Sequence, residues 1–194
     1  MIKSAVFDAD GTLLDSLHVW RQTDEEYMAS IGKRLDPDAY KAFGKLTYGQ
    51  SVSYIKNHYG LEMPKEEISA GIMEIVMKKY ETEVTAKDGI AELLQRLLDN
   101  NVKMAVATAN DRKLVCRALR STGLRRYFTH VVSCDEIGVG KDDAEVYVRA
   151  AELLGCTPQE TLVVEDDKGY IKAARDAGFI AIHVSEIGRL GFGK

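Results

Sequence analysis

An apolar run from Ser4 to Phe7 ends in Asp8, and a single alanine separates Asp8 from Asp10, with Gly11 and Thr12 following at once. Two carboxylates at the end of a buried strand are costly unless something of opposite charge pairs with them, and the neighbouring residues offer nothing suitable. Other apolar runs also end in polar groups. "KMAVAT" ends at Thr108 and is followed by Ala109 and Asn110, Lys141 follows a glycine-rich turn, and "TLVVED" runs through Glu165 and Asp166 into Asp167. Together these residues can perform phosphoryl chemistry. Asp8 and Asp166 offer the hard oxygen ligands that Mg²⁺ takes while keeping waters and a substrate phosphate in its remaining positions. Lys141 supplies a point positive charge, and the Thr108 hydroxyl with the backbone N–H groups of Ala109 and Asn110 can donate to phosphoryl oxygens.

Such residues, scattered over 160 positions, need a scaffold that returns them to one place. Five short apolar runs read as buried strands: "SAVF", "KMAVAT", "HVVS" at 130–133, "TLVVED" and "FIAIHV" at 179–184. Between most of them lie helical patterns, and this alternation predicts a parallel sheet with crossover helices. "DGIAELLQRLLDN" places Ile90, Leu93, Leu94, Leu97 and Leu98 on one face, with Asp88 as the expected cap. "DRKLVCRALRSTG" and "AEVYVRAAELLG" repeat the pattern and stop at glycines, while Thr157, Pro158 and Glu160 resemble a capping box with proline at the first helical position. In an open parallel sheet, ligands bind outside the carboxyl ends of the strands, where every residue singled out above would sit.

Residues 16–84 break the alternation. They offer helical patterns and few strand candidates, which predicts a helical insertion joined to the sheet by hinges near 14–17 and 81–87. The expected division is therefore a core of residues 1–15 and 85–194 with an inserted helical domain at 16–84. Trp20 reads as core of that insertion, Asp15 and Ser16 as a cap on its first helix, and His58, His130 and His183 as structural or surface residues.

The composition narrows the function. With 45% hydrophobic residues in 194 the chain can build a core, and a net charge of −4 without a long basic stripe argues against nucleic acid as a partner. There is no run of about 20 apolar residues to span a membrane and no signal-peptide pattern at the first residues, so the expectation is a cytoplasmic protein, a monomer or weak dimer acting on a small molecule. Three cysteines, 116, 134 and 156, form no CxxC pair and read as reduced thiols packed in the core.

"DADGTLLDS" resembles the first motif, DxDGT, of the haloacid dehalogenase superfamily of phosphohydrolases, and the other motifs follow in that family's order. "VATAN" with Thr108 is similar to the second, Lys141 in "GVGKDDAEVYVRAAELLG" to the third, and "VVEDDKGYIKAARDAG" with Glu165 and Asp166 to the fourth. The insertion at 16–84 falls where the β-phosphoglucomutase and phosphoglycolate phosphatase branch carries a four-helix cap on a Rossmann-like core. The resemblance implies that Asp8 is the nucleophile giving an aspartyl-phosphate and that Asp10 is the general acid and base. It further implies that Asp8, Asp166 and the backbone carbonyl of Asp10 hold Mg²⁺. Gly11 would turn the chain tightly, Thr12 would hydrogen-bond within that turn, and Asp167 would stand behind the metal, while Glu165 would either orient Asp166 or the metal's waters from behind or bind the metal directly.

Departures from the family pattern bear on this expectation. Prolines usually follow the third-motif lysine, whereas this chain reads "KDDAE", which adds Asp142 and Asp143 near an anion site. Asp167 stands where the fourth motif more often has serine, making three carboxylates in a row. The mutases carry a cap histidine and a cap-loop arginine; here the matching position is Trp20, with His18 two residues earlier, and "FGKLTYGQS" offers Lys45 but no arginine. A Mg²⁺-dependent phosphatase acting on a small phosphomonoester is the favoured reading, ahead of a phosphomutase. A receiver-like phosphate-binding protein uses similar residue types, but in a different strand order and without an insertion.

Overall fold

The structure, a computed structural model, describes residues 2–43, 46 and 48–189. Lys45 lies outside the described residues. Contacts divide the chain into two compact units, Met1–Ser16 with Val84–Lys194, and Leu17–Glu83. In chain order the elements are β1 (Ser4–Phe7), β2 (Leu14–Asp15), α1 (Leu17–Ser30), α2 (Pro37–Phe43), α3 (Tyr48–His58), α4 (Lys65–Thr82), β3 (Thr85–Ala86), α5 (Ile90–Asp99), β4 (Lys103–Thr108) and α6 (Arg112–Ser121). They continue with β5 (His130–Ser133), α7 (Cys134–Ile137), α8 (Glu145–Leu154), β6 (Thr161–Glu165), α9 (Lys168–Asp176) and β7 (Ile180–His183).

The first unit is a five-stranded parallel sheet in the order β5-β4-β1-β6-β7. β1 is central. Ser4 lies opposite Lys103 and Thr161, and Phe7 opposite Val106 and Val164, so the carboxyl ends of β1, β4 and β6 come out side by side. The buried hydroxyls of Ser4 and Thr161 hydrogen-bond at 2.8 Å and tie β1 to β6 at its start. Strands buried on both faces read as continuous apolar runs, which is why β1, β4, β5 and β6 are visible in the sequence; β7 is apolar too, although Ile180 is exposed. Val6, Ala105, Ala107 and Val163 pack with Val146, Tyr147, Ala150, Ala151 and Leu154 of α8, and with Ile171, Ala174 and Phe179.

Two local expectations are corrected, and one feature is added. α5 begins after Gly89, whose φ of +76° needs glycine, and Asp88 makes no cap; the left-handed turn does the work assigned to a side chain. The Thr157–Glu160 capping box is present, but it closes a single 3₁₀ turn at Pro158–Glu160 and no longer helix follows. The junctions read as hinges contain a short antiparallel ribbon, with Leu14 opposite Ala86 and Asp15 opposite Thr85. A two-residue strand is too short to leave an alternation in the sequence.

In the second unit, α1–α4 bury Tyr27, Met28, Val52, Ile55, Ile68 and Ile72. Trp20 packs against this cluster and donates its indole N–H to the Tyr80 hydroxyl at 3.1 Å, in keeping with its reading as core. Gly71 is required where it stands, since a Cβ there would meet the Tyr27 ring at 2.6 Å. His18 is exposed. Cys116, Cys134 and Cys156 are free thiols, of which only Cys134 is fully buried, the other two being half-buried. Among the described residues no helix is long and apolar enough to cross a membrane.

Candidate active site

Asp8 leaves β1 buried at 6% exposure, and its backbone N–H donates to the Val164 carbonyl of β6 at 3.0 Å, which carries the β1–β6 pairing one residue beyond the strand. After Asp8 the chain folds back through Gly11, at φ +89°, and Gly11 N–H donates to the Leu14 carbonyl at 2.9 Å. The Lys87 ammonium donates to the Gly11 carbonyl at 2.6 Å and so clamps this turn from the far side of the insertion. Thr12 is fully buried, and its hydroxyl has no hydrogen-bond partner. The expected side-chain bond within the turn is absent; backbone bonds from Gly11, Leu13 and Leu14 close it instead.

Lys141 is 2% exposed. Its ammonium donates to Asp8 Oδ1 and, at 2.6 Å, to Glu165 Oε1. The loop without prolines still aims it correctly: Lys141–Asp143 form a 3₁₀ turn, Asp142 and Asp143 point to solvent, and Ala144 adopts the left-handed conformation at φ +60° to start α8. The Lys141 ammonium also lies 5.8 Å from the centroid of the Tyr147 ring and 5.7 Å from that of Tyr170, at cation–π distance.

Glu165, at the end of β6, has no exposed surface. Its Oε1 accepts from both Lys141 and the Tyr147 hydroxyl, each at 2.6 Å. Its Oε2 and Asp8 Oδ2 are buried without a partner. Carboxylate oxygens of Asp8, Glu165 and Asp166 lie within 4.8 Å of one another. Three carboxyl groups crowd round the Lys141 ammonium, and the two orphaned oxygens are the kind of hard donor that a divalent cation satisfies. Residues present therefore fit a metal. Glu165 belongs to this acidic cluster itself, in line with the direct-ligand alternative that the sequence left open. The Asp10 carboxylate stands outside the cluster.

The electrostatics agree. Burial pushes the Asp8 carboxyl up to about 7, and the Lys141 ammonium opposes it. Burial works to lower Lys141, yet Asp8 and Glu165 together hold it above its ordinary value. Asp166 is raised by burial, while Lys141 and Lys87 pull it down. Burial and the adjacent Glu165 push the Tyr147 phenol well up, so it remains a donor.

Asp10 is held differently. Ser16 donates its hydroxyl to Asp10 Oδ1 at 2.6 Å, and the Asn110 carboxamide donates to Oδ2 at 3.3 Å. Ser16 thus serves Asp10, where the sequence suggested a helix cap. Thr108 is buried at the end of β4, and its hydroxyl accepts the Asn110 N–H at 3.0 Å, which folds the Thr108–Ala109–Asn110 turn beside Asp10. Asp167 is not part of the cluster: its carboxylate accepts the N–H groups of Gly169 at 2.6 Å and Tyr170 at 3.2 Å and caps α9. It caps there as a serine in that place could, while its charge still works to raise the carboxyl of Asp166.

The structure brings Asp8, Lys141, Glu165 and Asp166 together, sets Asp10 with Ser16, Asn110 and Thr108 beside them, and places Thr12 and Asp167 in structural positions. Four contributors escaped the sequence reading. Tyr147 lies on an apolar helix face and reads as core, its single hydroxyl being the only signal. Ser16 and Lys87 lie in the junctions. His183 accepts the Ser185 N–H at Nδ1 at 3.1 Å, which leaves Nε2 to donate to the Asp166 carbonyl at 3.0 Å.

Known proteins are similar to this chain along most of its length. The family described as haloacid dehalogenase-like hydrolase matches residues 5–184. Similar curated proteins include the phosphorylated carbohydrates phosphatase of Thermotoga maritima, 24% identical over 94% of this chain and 84% of its own length. Another is the validoxylamine A 7′-phosphate phosphatase of Streptomyces hygroscopicus subsp. limoneus, 27% identical over 94% and 85%. Among solved structures, CbbY from Rhodobacter sphaeroides in complex with phosphate superposes with a TM-score of 0.81 at 24% identity, covering 94% of this chain and 86% of that one. With the match spanning β1 through β7 and the acidic cluster standing at the carboxyl ends of the central strands, the chain belongs to the haloacid dehalogenase-like hydrolases.

Proposed function

We propose that this hydrolase is a Mg²⁺-dependent phosphatase that cleaves a small phosphorylated metabolite through a phospho-Asp8 intermediate. The observation that carries the reading is Asp8 itself, with one oxygen engaged by Lys141 and the other unpartnered beside Glu165 and Asp166. In this reading Asp8 attacks phosphorus, and a bond from its oxygen to phosphorus forms as the ester P–O bond breaks. Asp10 gives its proton to the departing alkoxide. It then takes a proton from the water that attacks phospho-Asp8, releasing phosphate and restoring both carboxyls. Ser16 and Asn110 keep the Asp10 carboxyl in one orientation for both transfers. Lys141 and the turn at Thr108, Ala109 and Asn110 are assigned to the phosphoryl oxygens.

Asp8, Glu165 and Asp166, with the main-chain carbonyl of Asp10, would hold Mg²⁺, which when bound supplies charge neutralisation for the transferring phosphoryl group. Substrate choice is assigned to the helical unit, residues 17–83. The curated relatives' names, one for phosphorylated carbohydrates and one for a 7′-phosphate, support a small phosphomonoester. The test is phosphate release from a broad panel of phosphomonoesters with Mg²⁺ and with EDTA, for the wild type and Asp8→Asn. Release that needs Mg²⁺ and falls to background in the variant is expected; no release from any ester, or an active Asp8→Asn, overturns the reading.

A further inference from the structure

The Tyr147 hydroxyl is the one polar atom on the buried face of α8 that packing does not explain. Val146, Ala150, Ala151 and Leu154 surround it on that face, and the ring meets Phe179 edge-on at a centroid distance of 6.3 Å. A phenylalanine would pack the same way. A hydroxyl in such a place is unfavourable unless it is hydrogen-bonded, and its bond goes to the one Glu165 oxygen that Lys141 also holds. Two donors on Oε1 fix the carboxylate plane and leave Oε2 as the free oxygen of the acidic cluster.

We propose that Tyr147 is a positioning residue for the metal: its hydroxyl holds Glu165 with Oε2 turned to the cation independently of Lys141. The independence matters because Lys141 has a second client. Its ammonium is divided between Asp8 and Glu165, and during phosphoryl transfer the charge on Asp8 is exchanged for charge on the phosphoryl oxygens. A Glu165 held by Lys141 alone would move whenever the ammonium followed that charge. With Tyr147 in place, Lys141 can follow it while the metal ligand stays put. The inference rests on the Mg²⁺ reading given under Proposed function.

The experiment is calorimetric titration of Mg²⁺ into substrate-free enzyme, comparing wild type, Tyr147→Phe and Tyr147→Leu, with thermal unfolding of each in EDTA. Partners that orient metal ligands are commonly worth 10–100-fold in metal affinity. Tyr147→Phe is expected to raise the Mg²⁺ Kd about tenfold and, since it removes one hydrogen bond to a buried carboxylate, to lower the EDTA melting temperature by several degrees. Tyr147→Leu, which loses the ring as well, should melt lower in EDTA yet lose no more Mg²⁺ affinity than the phenylalanine variant. A Tyr147→Phe Kd within about twofold of wild type overturns the inference alone, leaving the phosphatase reading intact. The inference is equally overturned if affinity declines with packing loss, so that leucine is far worse than phenylalanine, or if Tyr147→Phe fails to fold. A wild type that binds no Mg²⁺ overturns the metal reading and this inference together.

Discussion

Asp10 shows how one carboxyl is prepared by its neighbours before any substrate arrives. A short hydroxyl bond from Ser16 and a carboxamide bond from Asn110 leave it little rotational freedom, so under the proposed mechanism each proton transfer would start from a fixed point. A hydrogen bond to a charged group is worth about 1.5–3 kcal/mol. Removing the Ser16 donor should therefore appear mainly in the proton-transfer steps. Ser16→Ala is expected to lower kcat about tenfold while KM stays within about twofold, and steady-state kinetics on the best ester of the panel would check it. A loss in KM alone would place Ser16 with substrate binding. Cys134 sits near the same site, and its reactivity is suppressed: burial pushes its thiol up to about 11, so at neutral pH it is almost wholly protonated and inert.

At the scale of elements, capping repeatedly decides which side chains are available for chemistry. Asp167 is committed to the start of α9 and Asp111 to that of α6, so neither adds to the acidic cluster. Asp36 does the same in the helical unit. It accepts the N–H groups of Asp38 at 3.0 Å and Ala39 at 2.9 Å, pairs with His58 at 2.7 Å and accepts the Tyr59 hydroxyl at 3.0 Å. The Ala39 N–H, followed by His58, lowers its carboxyl to about 2 from an ordinary 3.8. A lowered pKa in the folded state means stabilisation that is full above the unfolded value and lost as pH falls through the folded one. Asp36→Asn keeps an acceptor and removes the charge, so it should melt below wild type at pH 7, with the gap closing between about pH 4 and pH 2. A gap that persists at pH 2 would show that shape, rather than charge, makes the difference.

The same scale explains what could be read in advance. β1, β4, β5 and β6 announce themselves because both faces are buried, Asp8, Asp10, Thr108 and Asp166 because each ends or follows an apolar run, and Lys141 by its glycine-rich turn. The β2–β3 ribbon and the left-handed start of α5 depend on two-residue pairings and one backbone angle, which leave no periodic trace. Tyr147, Ser16, Lys87 and His183 owe their roles to where a single polar atom points after folding. Sequence spacing carries no information about that.

At the scale of the molecule, the two units have separate cores, and among the described residues the carboxylates that fit a metal come from the sheet unit. Mg²⁺ at 100 times its Kd should stabilise whatever holds it by about 2.7 kcal/mol. Hydrogen exchange is the suitable measurement, since a chain of two units need not unfold in one step. Added Mg²⁺ is expected to slow exchange in β1, β4 and β6 and to leave α1–α4 unchanged. Equal slowing in both units would mean that the helical unit shares in the site.

The central position of β1 also has a consequence for synthesis. Its two neighbours, β4 and β6, begin at Lys103 and Thr161, so the strand that carries Asp8 leaves the ribosome long before either can receive it. At about 5–20 residues per second, the wait for β4 is on the order of ten seconds. Meanwhile the whole of residues 17–83 emerges and can close its own core. The earliest-made part of the active site is thus among the last to be sheltered, and for that interval the apolar Ala5–Phe7 segment is a target for chaperones or for a neighbouring nascent chain.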